Sequence, residues 1–205
     1  VRRKLIALAF LLAVVHGPAR AEEPQALAAG EILRGSFVQE RLLQGFNGAL
    51  RSEGTFLLAP GKGLIWRTDK PFAITTVMTE KGLAQQSNGA TTLNVPASRA
   101  PIMAGLFDML AGALSGDWSA LQRDFTVERS EEAGKWHLRL KTRKEEPAAA
   151  MPIAEIRVAG GAFVDQVEIE KQGGDLDRLT FADQKREAGA LTGDEKALLD
   201  IVGKP

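Results

Sequence analysis

The sequence predicts an α+β protein built on one strongly curved antiparallel sheet, an incomplete β-barrel of about eleven strands covered by helices. Three observations predict it. Short apolar runs are separated by pairs that tolerate positive φ: Asn47-Gly48, Pro60-Gly61, Asn88-Gly89, Gly160-Gly161 and Gly173-Gly174. Two runs alternate strictly, Trp136, Leu138 and Leu140 with His137, Arg139 and Lys141, and Val167 and Ile169 with Glu168 and Glu170. Period two of this kind marks antiparallel strands with one wet face. Finally, eleven strands exceed what a twisted open sheet usually holds without curling.

The elements follow in chain order. Arg2, Arg3 and Lys4, the apolar run from Leu5 to Val15 and the small residues of Ala19-Arg20-Ala21 read as an export signal cleaved after Ala21. That run is too short to span a bilayer, which takes about 20 helical residues. Residues 22–205 are then expected to form a single domain, exported and soluble in the periplasm. Pro24 to Leu33, alanine-rich with Leu27, Ile32 and Leu33, is expected to be a helix across one end of the sheet. From Gly54 to Ile74 the chain reads as two strands closed by the Pro60-Gly61 turn, followed by Lys70-Pro71 and the start of a third. Pro101 to Leu114 places Met103, Phe107, Leu110 and Leu114 at helical spacing, with Ile102, Leu106 and Met109 widening the apolar arc. Lys144 to Pro152, alanines bracketed by prolines, reads as a loop between strands. Thr192 and Glu195 form a capping box opening a last helix through Leu199, with Gly203 just past its end.

Composition narrows the function. Loss of residues 1–21 removes Arg2, Arg3, Lys4 and Arg20 and no acid, leaving 22 basic residues against 26 acidic ones, a net charge of −4. A mildly acidic chain without a Lys/Arg cluster is a poor partner for nucleic acid. With no cysteine there is no disulfide, thiolate site or cysteine nucleophile, and no attachment point for a lipoprotein anchor. His137 is the one histidine past the leader and shares a strand face with Arg139 and Lys141. It does not make the ligand set of a zinc site or a Ser-His-Asp arrangement, and no Gly-x-Ser-x-Gly elbow exists. Gly61-Lys62-Gly63 lacks the third glycine of a nucleotide loop, since that place is Trp66. Asp175 and Asp177 lack the glutamate of a calcium loop, since that place is Arg186. The pairs Glu131-Glu132 and Glu145-Glu146 fall in turns or loops. No enzyme, metal or cofactor is expected.

What remains is apolar surface. All aromatic residues are Phe (nine) or Trp (three), with no Tyr, and such side chains line dry surfaces with no hydroxyl to satisfy. Phe56 and Leu58 share a face of one strand, Leu64 and Trp66 of the next, and Phe72 and Ile74 are expected to continue it.

On these residues the chain resembles a family. Leu33-x-Gly35-x-Phe37-x-Gln39, then Gly54-x-Phe56-x-Leu58-x-Pro60, then Trp66 and Pro71, are similar to the amino-terminal pattern of the outer-membrane lipoprotein carrier, LolA. Leu106 to Phe125 is similar to that family's central helix and the Trp-containing segment after it. The resemblance spans about Leu33 to Leu140. It implies an incomplete barrel capped by helices, with the acyl chains of a lipoprotein held between. It also implies an inner-membrane ABC-type releasing complex or exporter as donor and an outer-membrane acceptor. Two departures stand out. Ala59 occupies the place of an arginine that in the family's well-known carriers helps hold the lid shut, and the chain ends in the helix after Thr192 instead of a Phe-rich strand.

The expected function is therefore a periplasmic carrier, acting as a monomer, that hides the acyl chains of a lipoprotein or other lipid-linked product. A sixteen-carbon chain left in water costs roughly 12 kcal/mol at about 0.8 kcal/mol per methylene. The expected cavity lining is Phe37, Phe56, Leu58, Leu64, Trp66, Phe72, Ile74, Met103, Leu106, Phe107, Leu110 and Leu114. The alternative is a sensory or regulatory lipid-binding module of the periplasm.

Overall fold

The computed structural model describes residues 26–28, 30–99, 110–115, 122, 125–142 and 153–204. Eleven strands make one antiparallel sheet: β1 (Glu31–Leu42), β2 (Ala49–Ala59), β3 (Gly63–Lys70), β4 (Ile74–Thr79), β5 (Gly82–Ser87), β6 (Ala90–Pro96), β7 (Phe125–Glu132), β8 (Lys135–Thr142), β9 (Ile153–Gly160), β10 (Val164–Lys171) and β11 (Leu176–Ala188). Their order across the sheet is β6-β5-β4-β3-β2-β1-β11-β10-β9-β8-β7. Two meanders thus meet where the first strand pairs with the last, Glu31 opposite Ala188 through Leu42 opposite Leu176. The sheet is open, with β6 and β7 as its edges.

The five expected reversals all lie between paired strands, with positive φ at Gly48, Gly61, Asn88, Gly89 and Gly174. A sixth, at Ala133-Gly134, turns β7 into β8 with φ of 50° at Ala133, a residue type that gives no turn signal.

Alternation sends side chains to two faces, and each face has its own buried layer. The inner face carries a cluster drawn from β1, β2, β3 and β7 to β11, among them Leu33, Phe37, Trp66, Phe125, Trp136, Val158, Val167 and Phe181. The outer face carries Ile32, Leu57, Ala59, Ile65, Val77 and Ala84, joined by Leu191 and Val202 from the carboxyl-terminal segment. The sheet curls toward the inner side. Strands β3 and β11 are three apart, about 14 Å in a flat sheet, yet the rings of Trp66 and Phe181 come to 6.2 Å centroid to centroid.

Two helical expectations are corrected. Pro24 to Leu33 does not continue as a helix into its second half: residues 26–28 have no regular structure, Gly30 has a φ of 89°, and β1 begins at Glu31. Ile32 and Leu33 go to opposite faces, because pairing of both with β11, and of Leu33 also with β2, outweighs local alanine propensity. Cover by helices is also less than expected. Among the described residues the α-helical ones are α1 (residues 110–115), Gln122 and α2 (Gly193–Leu199), with a 3-10 turn at Ala97–Arg99. Of these, α2 lies on the outer face, away from the inner cluster. Its capping box is formed as the sequence predicts: Glu195 N–H donates to Thr192 Oγ1 (3.2 Å) and Thr192 N–H to Glu195 Oε2 (2.8 Å). The leader and the loop at Lys144 to Pro152 lie outside the described residues.

Candidate functional site

Strand register builds the inner face row by row. Leu33 stands opposite Leu58, Leu58 opposite Leu64, and Leu64 opposite Met78. In the next row Gly35 faces Phe56, Phe56 faces Trp66, and Trp66 faces Thr76. A third runs Phe181, Phe37, Gly54, Thr68 and Ile74. Of the two glycines, Gly35 makes room for a ring and Gly54 lets the backbone of β3 approach closely. A Cβ at Gly35 would stand 2.7 Å from the Phe56 ring, and one at Gly54 would collide with the backbone carbonyl of Arg67. In the space so left, Phe37 stacks on Trp66 with centroids 3.8 Å apart and planes 29° from parallel. Phe181 meets Phe56 edge-on at 5.5 Å. Such pairs contribute about 0.5–1.5 kcal/mol beyond their burial.

Of the expected lining, Phe37, Phe56, Leu58, Leu64, Trp66 and Leu114 come together in this cluster, and Leu110 packs half-buried against it. Ile74 is half-buried and on the same face by register, but outside the cluster. Phe72 is a correction. It is 74% exposed in the turn between β3 and β4, because Pro71, which has no N–H to donate, follows the last ladder residue of β3 and β4 starts only at Ile74. Met103, Leu106 and Phe107 lie outside the described residues.

Sequence reasoning missed Leu33, Phe125, Trp136 and Phe181 as members of the same surface. Alternation at 136–140 was visible, and Leu179 and Phe181 alternate with Arg178 and Thr180 in the same way. No local signal says that β11 lies beside β1. Trp136 also satisfies its indole N–H, which donates to the Gly161 carbonyl at 2.6 Å.

At the aromatic rows the inner face is a packed layer, its rings in contact with one another. Ala59, the departure from the carrier pattern, points to the other side: it is buried with Leu57 in the outer cluster that α2 covers. On β8, His137, Arg139 and Lys141 face away from Trp136, Leu138 and Leu140, as alternation predicts. Glu131 and Glu132 are exposed. Among the described residues no three His, Cys, Asp or Glu side chains are grouped to hold a metal, and no helix is long and apolar enough to cross a membrane.

Residues 23–202 match the family described as outer membrane lipoprotein carrier protein LolA-like. The chain belongs to this family. No curated protein matches it. Among solved structures, the chain is similar to one from the complex of Pseudomonas aeruginosa MucA and MucB, at 14% identity and a TM-score of 0.47 over 82% of this chain. It spans 56% of that chain's length. It is similar also to a LolA superfamily protein from Nitrosomonas europaea, at 8% identity and a TM-score of 0.41, over 85% of this chain and 91% of that one. LprF from Mycobacterium bovis follows at 12% identity and a TM-score of 0.35, over 80% of this chain and 89% of that one. These likenesses are too distant to say what this LolA-like chain binds.

Proposed function

We propose that this LolA-like protein is a periplasmic carrier that shelters the acyl chains of a lipoprotein or another lipid-linked product on the inner face of its sheet. The observation that carries the reading is the make-up of that face: Leu, Ile, Val, Phe and Trp from eight strands, with Leu110 and Leu114 of α1 laid against them. Contacts of this kind are non-directional, so they exchange one apolar neighbour for another at little cost. Uptake lays an acyl chain against Phe37, Phe56 and Trp66, in exchange for contacts that α1 makes with the same cluster. Residues 22–205 act as one domain after cleavage at Ala21. The donor is an inner-membrane releasing complex or exporter and the acceptor lies in the outer membrane, the partners that family membership implies.

Purification from the periplasm, followed by solvent extraction and mass spectrometry, tests this. Long-chain lipid at near-stoichiometric occupancy is expected. Protein empty under every growth condition sinks the proposal. Lipid retained but never passed to outer-membrane vesicles would convert the carrier into a sensor.

A further inference from the structure

Beyond Phe37 the inner face changes character. Gln39 stands beside Ser52 on β2, with Ser52 Oγ to Gln39 Oε1 at 3.5 Å, and Arg41 stands between Leu50 on β2 and Asp177 on β11. Asp177 is 7% exposed. Arg41 Nε donates to its Oδ1 at 2.6 Å, and Lys171 Nζ lies 2.9 Å from its Oδ2. Burial pushes this carboxyl up, but the hydrogen bonds from Arg41 and Lys171 outweigh it and hold the group below the usual aspartate range. Asp177 is therefore a carboxylate, and a single carboxylate needs one cation. Here it has two, so the trio carries one net positive charge. Asp175, in the next turn, has its own partner, the Gln44 N–H at 3.0 Å.

The surplus is accessible. The bond to Asp177 uses only Nε of Arg41, whose side chain remains 46% exposed. Directly across the register from Arg41, Leu50 is 63% exposed, a large apolar side chain beside an available guanidinium. Phe37 and Arg41 are four residues apart on one strand, roughly 13 Å. Along that line the face runs from stacked rings, through the Gln39–Ser52 pair, to a guanidinium and an ammonium.

We infer that this end of the inner face is an anion subsite that takes the negatively charged head group of the amphiphile, phosphate in the first instance, while its acyl chain lies toward Phe37, Phe56 and Trp66. The planar fork of Arg41 suits two oxygens of one phosphate, and Lys171 adds a point charge. Asp177 is a positioning residue: it aligns both cations without touching the ligand. The inference rests on the lipid-binding reading above and adds to it the class of cargo and the direction in which it lies.

The test uses the mature chain and three probes below their micelle-forming concentrations: 1-lauroyl lysophosphatidate, 1-lauroylglycerol and inorganic phosphate, titrated by calorimetry. The lysophosphatidate is expected to bind at least about tenfold tighter than the neutral glyceride. Arg41→Gln and Lys171→Gln should each lower that preference about fivefold with binding of the glyceride unchanged. Lys171→Gln keeps the Arg41–Asp177 bond and so preserves the fold if Arg41→Gln does not. Arg178→Gln, the same charge change on the outer face, should alter neither affinity. Equal affinity for the two lauroyl probes overturns the subsite and leaves the lipid reading standing. Binding of neither overturns both. Inorganic phosphate binding as tightly as the lysophosphatidate makes this a free-phosphate site and also overturns the inference.

Discussion

Along β1, Leu33, Gly35 and Phe37 turn to the inner face while Ile32, Arg34 and Ser36 turn to the outer one, and the two rows are held by different kinds of force. Inside, the contacts are rings and aliphatic chains without a preferred direction. Outside, an apolar cluster under α2 is joined by charged and polar groups with directed partners. Arg34 clasps Glu195 of α2 through two hydrogen bonds, at 2.5 and 3.2 Å, and Glu187 through a third. Asn94 holds the last residues by bonds to the Ile201 and Lys204 carbonyls and from the Gly203 N–H. Farther across, an ion-pair ladder runs Arg139–Glu155–Arg157–Glu168–Arg178–Glu40 over five strands. The proposed carrier role would draw on this division. The frame must keep its shape while the lining changes its neighbours.

The strongest way to break the inner layer is Trp66→Ala, which removes the ring shared by Phe37, Phe56 and Phe181. The cost is expected at about 3–5 kcal/mol, read from the midpoint of urea unfolding, together with loss of any bound lipid. Gly54→Ala comes next, at about 3 kcal/mol, because its Cβ meets backbone at Arg67. Gly35→Ala should cost less, about 1 kcal/mol, since the Phe56 ring can swing aside. Equal losses at the two glycines would show that the rows are not spaced as described.

On the outer face, Glu195→Gln is expected to cost about 2 kcal/mol near neutral pH. The hydrogen bond from Arg34 is the chief cause that brings the Glu195 carboxyl from the ordinary 4.5 to about 2. A depressed carboxyl contributes stability that is full above the ordinary value and is lost as pH falls toward the folded one. The gap between wild type and Glu195→Gln should therefore be widest above pH 5 and shrink between pH 4.5 and 2, measured by thermal unfolding across that range. A gap that does not change with pH would mean that Arg34 is not what holds α2. Smallest of all, Arg157→Ala should cost at most about 1 kcal/mol, since its side chain is 41% exposed and Glu168 keeps Arg178. A larger loss would make the ladder more than a solvated surface.

Much of this contrast was legible in the sequence, and the gaps have physical causes. Turn pairs and alternation mark local events, so the strands, the reversals and the Thr192 capping box could be read directly. Strand order could not, because β1 pairs with β11 across the whole chain, and Phe181 joins Phe37 for that reason alone. Ile32 and Leu33 looked helical beside alanines until two neighbouring strands claimed them. Phe72 looked like lining because alternation was carried one residue too far past Pro71. Ala59, next to Leu58 in sequence, belongs to the opposite face, so its departure from the carrier pattern lies in the cluster that seats α2, not among the inner rings.

The seam between β1 and β11 has a consequence for how the molecule comes into being. Its first strand waits, half-paired, until residues 176–188 have been made, since no other segment supplies that partner. Contacts so far apart in the chain form slowly. The two meanders are thus joined along the middle last, and a polypeptide cut short before Leu176 would lack β11, and with it Phe181 and the whole seam that β1 needs.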